Sequence, residues 1–185
     1  MTCTQPVALD TGTGVAIVPV TPAHAGMLAA LVCQDREHLH AWLPLVATLA
    51  TPEAARTHLE RAVVRAEEGE IFEWHLFVGD TLCGSVRLKD IDHDDRKAGI
   101  GYFLGSEYTG KGIITAALQA VLAWSFGPLG LNRIELRCAS SNVPSMRVAE
   151  RLGFVREGLL RQDECLNGVF VDHYVYGLLQ ADFRR

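Results

Sequence analysis

Two glycines flank a lysine at Gly110-Lys111-Gly112, between the apolar run Ile100 to Leu104 and a helical pattern that begins at Ile113. Glycine turns the backbone tightly and leaves its amides uncovered. The first turn of a helix has free N–H groups and the positive end of the dipole, so an anion, above all a phosphate, fits there. The glycines also suit a sterically tight helix entry, but the order strand, loop, helix favours a phosphate cradle. Gly105-Ser-Glu-Tyr-Thr-Gly-Lys111 fills seven positions of a nucleotide-binding P-loop. The eighth should be the Ser or Thr that holds magnesium, and here it is Gly112. Most of the chain also precedes this loop, whereas a P-loop follows the first strand of a parallel sheet. A nucleotide phosphotransferase is therefore disfavoured.

Other reactive side chains are dispersed. His75, His93 and His173 have no metal-ligand spacing and read as core or surface groups. The five cysteines, Cys3, Cys33, Cys83, Cys138 and Cys165, show no Cys-x-x-Cys pair. Their odd number suits reduced thiols and a cytoplasmic setting rather than a disulfide framework or zinc site. No base partner for a cysteine nucleophile is evident. No metal is expected.

The elements that position these groups follow from periodicity. Val15 to Val20 reads as a strand, and Thr21-Pro22 opens a helix to about Cys33. Gln34 to Ala50 is irregular. Thr51-Pro52-Glu53 opens a second helix that ends near Glu68-Gly69. Ile71 to Val78 and Leu82 to Ile91 form a hairpin, followed by the strand Gly99 to Leu104. After the glycine loop, Ile113, Leu118, Val121, Leu122 and Phe126 recur at helical spacing. Arg133 to Cys138 alternates as a strand, with Ile134, Leu136 and Cys138 opposite Arg133, Glu135 and Arg137. Asn142 to Leu152 is a short helix. Phe154 to Leu160 and Val169 to Leu179 are strands joined by Arg161 to Gly168. The fold class is α+β, a central mixed and mostly antiparallel sheet flanked by helices. Residues 1–185 form one domain, with Met1 to Gly14 as a poorly ordered extension lacking signal-peptide character. A net charge of −5 without a basic run argues against nucleic-acid binding. No apolar run is long enough to span a bilayer.

Tyr108-Thr-Gly-Lys-Gly-Ile-Ile-Thr115 resembles motif A of the GNAT superfamily of acetyl-CoA-dependent N-acetyltransferases. Thr109 stands where that motif usually has Gln or Arg, and Ile114 where it has Gly or Ala. Asn142-x-x-Ser145, Leu152-Gly-Phe154 and Glu157-Gly158 are similar to the RimJ/RimL-type branch, which acetylates protein N-termini, notably of ribosomal proteins. The resemblance spans roughly residues 15 to 180 and is most specific in its second half.

It implies the GNAT fold and acetyl transfer from acetyl-CoA to a primary amine, by direct attack in a ternary complex. Phe103, Leu104, Lys111, Gly112, Ile113, Ile114, Thr115 and Asn142 are then expected to bind the cofactor, the loop amides gripping its pyrophosphate. Ser145 is the candidate proton donor to the departing thiolate, unless it only caps its helix. Glu164 is the candidate general base, from the likeness of Gln162-Asp-Glu-Cys-Leu-Asn-Gly168 to the branch's base-bearing loop. Taken alone, it is one carboxylate in a polar turn. Glu135 is the fallback. The acceptor should meet Gln34–Ala50 and Arg161–His173. A protein N-terminal amine is the leading acceptor, with a polyamine, antibiotic or amino-acid conjugate as the alternative. A non-catalytic coenzyme-A-binding module also remains open. The resemblance further implies a homodimer, with Val169–Leu179 as a possible edge.

Overall fold

The computed structural model describes residues 5–184. Its elements, in order, begin with β1 (Leu9–Asp10), β2 (Val15–Pro19) and a 3-10 turn (Pro22–His24). Four helices follow: α1 (Ala25–Gln34), α2 (Arg36–His40), α3 (Pro44–Ala47) and α4 (Pro52–Glu67). Next come β3 (Phe72–Val78), β4 (Thr81–Asp92), β5 (Lys97–Leu104) and α5 (Ile113–Phe126). The chain closes with β6 (Arg133–Ala139), α6 (Val143–Arg151), β7 (Val155–Leu166) and β8 (Val169–Leu179). One eight-stranded sheet runs β1-β2-β3-β4-β5-β6-β8-β7. Every neighbouring pair is antiparallel except β5 with β6. This is the mixed, mostly antiparallel α+β architecture expected.

Strand alternation builds two cores. On β3, Phe72, Trp74 and Leu76 join the core that includes α5. The Trp124 ring of α5 meets Phe72 and Trp74 edge-on, with centroids 5.4 and 5.3 Å away. The intervening residues Glu73 and His75 point to the opposite face, towards α1 and α4. The Thr51 hydroxyl caps α4 by accepting the Ala54 N–H, with Pro52 at its first position. Ala55, Leu59, Ala62 and Ala66 then form its buried stripe.

The functionally decisive feature is an incomplete seam. β5 and β6 pair only from Lys97↔Arg133 to Ile100↔Leu136. Beyond that point β5 stays with β4 as far as Leu104, and β6 stays with β8 as far as Ala139. Each strand follows its other partner, and the sheet opens between them.

Three expectations are corrected. Residues 5–14 of the expected extension are built into the fold: Leu9–Asp10 pairs with β2, and the Trp74 indole N–H donates to the Val7 carbonyl at 2.9 Å. Residues 1–4 lie outside the described residues. Arg161 to Leu166 is strand, so β7 is longer than its pattern indicated. Its side chains are mostly exposed and lack the alternation that marks a half-buried strand. Finally, β8 is not an edge, because it is paired on both sides; the edge is β7.

Candidate active site

The opened seam is the floor of a cleft of about 1030 Å³. Gly105, which starts the loop leaving β5, is packed so closely that a Cβ there would lie 2.9 Å from Leu31 Cδ1. The Asp35 carboxylate accepts both the Ser106 backbone N–H and its hydroxyl, each at 2.6 Å. The loop is thus moored to the end of α1. It then turns through Gly110 and Gly112, both left-handed, at φ of 73° and 77°. A Cβ on either would meet nothing within 4 Å, so the space beside them is open. Gly112 is the N-cap of α5 and offers no side-chain cap. Ile113 to Thr115, whose first-turn N–H groups have no side-chain cap, line the cleft, and such uncapped N–H groups suit an anion.

Of the residues expected to bind cofactor, Phe103, Leu104, Gly112, Ile113, Ile114, Thr115 and Asn142 line this cleft. Lys111 does not: its ammonium sits 5.5 Å from the Tyr108 ring centroid. Arg147 and Arg151 of α6 add positive charge to the opposite wall.

Across the seam, α6 begins at Asn142, whose Oδ1 accepts the Ser145 backbone N–H at 3.2 Å. Asn142 is the capping residue, and the Ser145 hydroxyl is left for other work. That hydroxyl lies 2.9 Å from the Tyr102 hydroxyl of β5. Burial pushes the Tyr102 phenol up to about 12, against the opposing pull of its Ser145 hydrogen bond, so it stays a neutral O–H. Burial likewise pushes the nearby Cys138 thiol up, although the Ser145 hydrogen bond opposes this. A thiolate nucleophile is disfavoured there.

The other face of the seam is charged. Glu135 bridges Arg133 and Arg137, at 3.2 and 2.7 Å. Burial pushes its carboxyl upward but is outweighed by those two arginines, which hold it below the ordinary carboxylate range. It is the ion-paired alternative to a base. Arg133 is also forked onto Glu157.

Glu164 lines the cleft, but from β7 rather than from a turn. The pairing of β7 with β8 slips between Leu160 and Glu164, where Gln162 has a φ of +50° and donates its N–H to Asp172. Consecutive strand residues normally point to opposite faces. The bulge overrides that, and Asp163 and Glu164 both reach His173 of β8. Asp163 Oδ2 is 2.9 Å from His173 Nδ1, and Glu164 Oε2 is 3.3 Å from Nε2. Arg137 Nη1 stands 3.9 Å from Asp163.

Sequence reasoning missed Tyr102, and it read His173 as no more than a core or surface group. Tyr102 lay unremarked in an apolar strand, and its hydroxyl in a helix-flanked core was the available signal. The partners of His173 carried no signal, because they arrive through a bulge.

From the stretch expected to meet the acceptor, α2 and the turn after it contribute His38, Leu39 and Trp42 to the cleft lining. The Asn167 amide of the β7–β8 turn donates to the His40 carbonyl at 3.0 Å. The two stretches assigned to the acceptor therefore meet at the mouth of the cleft. Among the described residues, no group of three or more His, Cys, Asp or Glu could hold a metal ion. No described helix is long and apolar enough to cross a membrane.

A mixed sheet opened beside a glycine-loop helix entry, with a hydroxyl pair across the gap, suits an acetyl-CoA-dependent N-acetyltransferase, the class to which a family match assigns the chain. Residues 15–155 match the acetyltransferase (GNAT) domain, and the chain belongs to that family. It is 35% identical over 166 residues to YdaF of Bacillus subtilis (strain 168), covering 88% of this chain and 89% of that one. It is 31% identical to the ribosomal-protein-serine acetyltransferase of Escherichia coli (strain K12), over 85% and 88% of the two chains. Among solved structures, the microcin C7 self-immunity acetyltransferase MccE, in complex with acetyl-CoA and AMP, is similar with a TM-score of 0.88. It is 26% identical, and the match covers 96% of this chain and 98% of that one.

Proposed function

We propose that this N-acetyltransferase modifies the α-amino group of a protein N-terminus, such as that of a ribosomal protein. One observation carries the reading. The opened seam joins the Tyr102–Ser145 hydroxyl pair on one face of the sheet to the Asp163–His173–Glu164 cluster on the other, within one cleft. Two substrates entering from opposite faces would meet there. The likeness to the E. coli ribosomal-protein-serine acetyltransferase supports an N-terminal acceptor.

The chemistry requires a neutral amine, whose free pKa is about 8 for an α-amino group. Glu164 is the base that receives its proton. Attack on the thioester carbonyl forms the N–C bond and breaks the C–S bond. The Ser145 hydroxyl, itself hydrogen-bonded to Tyr102, protonates the departing thiolate. The amides of Gly112 to Thr115 hold the pyrophosphate of acetyl-CoA, and Asn142 presents its side-chain amide to the cofactor arm. Fixing both substrates in one cleft contributes several kcal/mol, roughly, by proximity.

We place the enzyme in the cytoplasm as a homodimer. The pairing edge is β7, where Val155 and Leu159 are exposed.

A small-molecule acceptor is the second reading. The likeness to MccE, solved with acetyl-CoA and AMP, favours it. Incubating cell extract with isotopically labelled acetyl-CoA, with and without the enzyme, separates the two. Label on a protein N-terminal residue supports the first reading. Label only in the small-molecule fraction overturns it.

A further inference from the structure

We infer that Asp35 is a positioning residue that fixes the phosphate loop and the acceptor wall relative to each other, so that one carboxylate governs the binding of both substrates. This rests on the reading in which the glycine loop holds acetyl-CoA and the stretch after α1 meets the acceptor. α1 ends at Gln34 and α2 begins at Arg36, so Asp35 alone is the joint between them. It occupies the N-cap position of α2, where an aspartate ordinarily accepts an N–H of its own helix. Here the side chain makes no cap bond. Both of its oxygens turn instead to Ser106, 71 residues further along the chain. Oδ2 accepts the Ser106 backbone N–H and Oδ1 its hydroxyl, each at 2.6 Å. A bond that would serve only α2 is replaced by two that join distant segments, and bonds to a charged acceptor are the stronger kind.

From Ser106 the constraint runs into the phosphate loop. Thr109 folds back on the Ser106 carbonyl, to which its N–H and its hydroxyl both donate, at 3.2 and 2.8 Å. Gly110 and Gly112 follow and set the entry to α5. Glycine at position 105 permits the approach, since a Cβ there would lie 3.0 Å from Asp35 Oδ2. In the other direction the constraint runs into the acceptor wall. The buried Leu39 donates its N–H to the Asp35 carbonyl at 2.9 Å. α2 has five residues, about one and a half turns, and with the turn after it carries His38, Leu39 and Trp42 into the cleft lining. Its far end is held separately, where the His40 carbonyl accepts the Asn167 amide at 3.0 Å. The loop and the wall thus share Asp35, whereas the Asn167 bond belongs to the wall. Coupling between two binding sites is reciprocal, so a loop steadied by acetyl-CoA steadies the wall, and the reverse.

Three measurements test this. Calorimetry of acetyl-CoA binding needs no acceptor. Asp35→Ala should weaken binding roughly tenfold, the scale of one hydrogen bond to a charged group. Asp35→Asn keeps an oxygen for the Ser106 N–H and should fall between Asp35→Ala and wild type. Ser106→Ala removes only the hydroxyl bond; it should also weaken binding, and it serves where Asp35→Ala fails to fold. Hydrogen–deuterium exchange then reads the wall. Coenzyme A should slow exchange across residues 36–43 in the wild type and not in Asp35→Ala. The third measurement is kinetic, with acetyl-CoA and a peptide bearing a free N-terminal serine. Asp35→Ala should raise KM for both substrates, the loss lying in KM rather than kcat, whereas Asn167→Ala should raise KM for the peptide alone. Unchanged acetyl-CoA affinity in Asp35→Ala and Ser106→Ala overturns the proposal, as does exchange slowed equally with and without the Asp35 carboxylate. A wild-type enzyme that ignores the peptide overturns the N-terminal reading alone, because the first two measurements still decide the role of Asp35.

Discussion

The Tyr102 hydroxyl lies 2.9 Å from Ser145 Oγ and spans the gap where β5 and β6 part. The helix cap beneath it is made by Asn142, not by the Ser145 side chain. Catalytic and structural contributions at the start of α6 are therefore separable.

Ser145→Ala should lower turnover by roughly 10²–10⁴-fold, as expected for loss of a positioned proton donor. Its melting temperature should barely change, because the backbone N–H keeps its cap. Asn142→Ala should instead cost about 1 kcal/mol of stability. Turnover measured beside thermal melts checks both. Near-wild-type turnover in Ser145→Ala would remove it as the donor.

Gly112→Asp should abolish acetyl-CoA binding in calorimetry. The position is left-handed, at φ 77°, where a side chain is strained, and a carboxylate there would face the phosphates. Unchanged affinity would move the pyrophosphate elsewhere.

Glu164→Gln should lower turnover, with a loss that shrinks as pH rises and the amine becomes neutral unaided. Glu135→Gln should leave the pH–rate profile in place, because Glu135 is committed to Arg133 and Arg137. The reverse pattern in the two profiles would exchange their roles.

Stability should fall in mild acid. His75 is fully buried, 3.0 Å from His24 through their Nδ1 atoms. Burial lowers its pKa from 6.5 to about 4, outweighing the attraction of Glu73, and burial lowers that of His24 too. The unfolded chain therefore takes up protons that the folded chain refuses. The stabilisation is complete above about pH 6.5 and is lost as pH falls towards 4. The His75 contribution is on the order of 3 kcal/mol. Urea unfolding at pH 7.5 and pH 5 should show the loss, and His75→Gln should flatten the dependence. A midpoint that does not move would show the pair to be accessible to protons.

The amino-acid sequence by itself determined the elements whose signals are local. Thr51-Pro52 capped α4 as expected, because a cap needs only its own first turn. Gly110 and Gly112 announced a tight helix entry, and both are left-handed there, a backbone few other residues tolerate. The alternation of Arg133 to Cys138 correctly separated the core face from the charged face of β6. Tertiary structure alone decided what those elements enclose. The parting of β5 and β6 arises because each strand follows a different neighbour, β4 or β8, and neither strand's own pattern records it. Tyr102 and Ser145 stand 43 residues apart and meet only across that gap. Glu164 and Asp163 are adjacent in the chain, yet both face His173 because a bulge at Gln162 breaks the strand's alternation. Side-chain direction on a strand is legible only while its register is regular, and this site lies where that regularity ends.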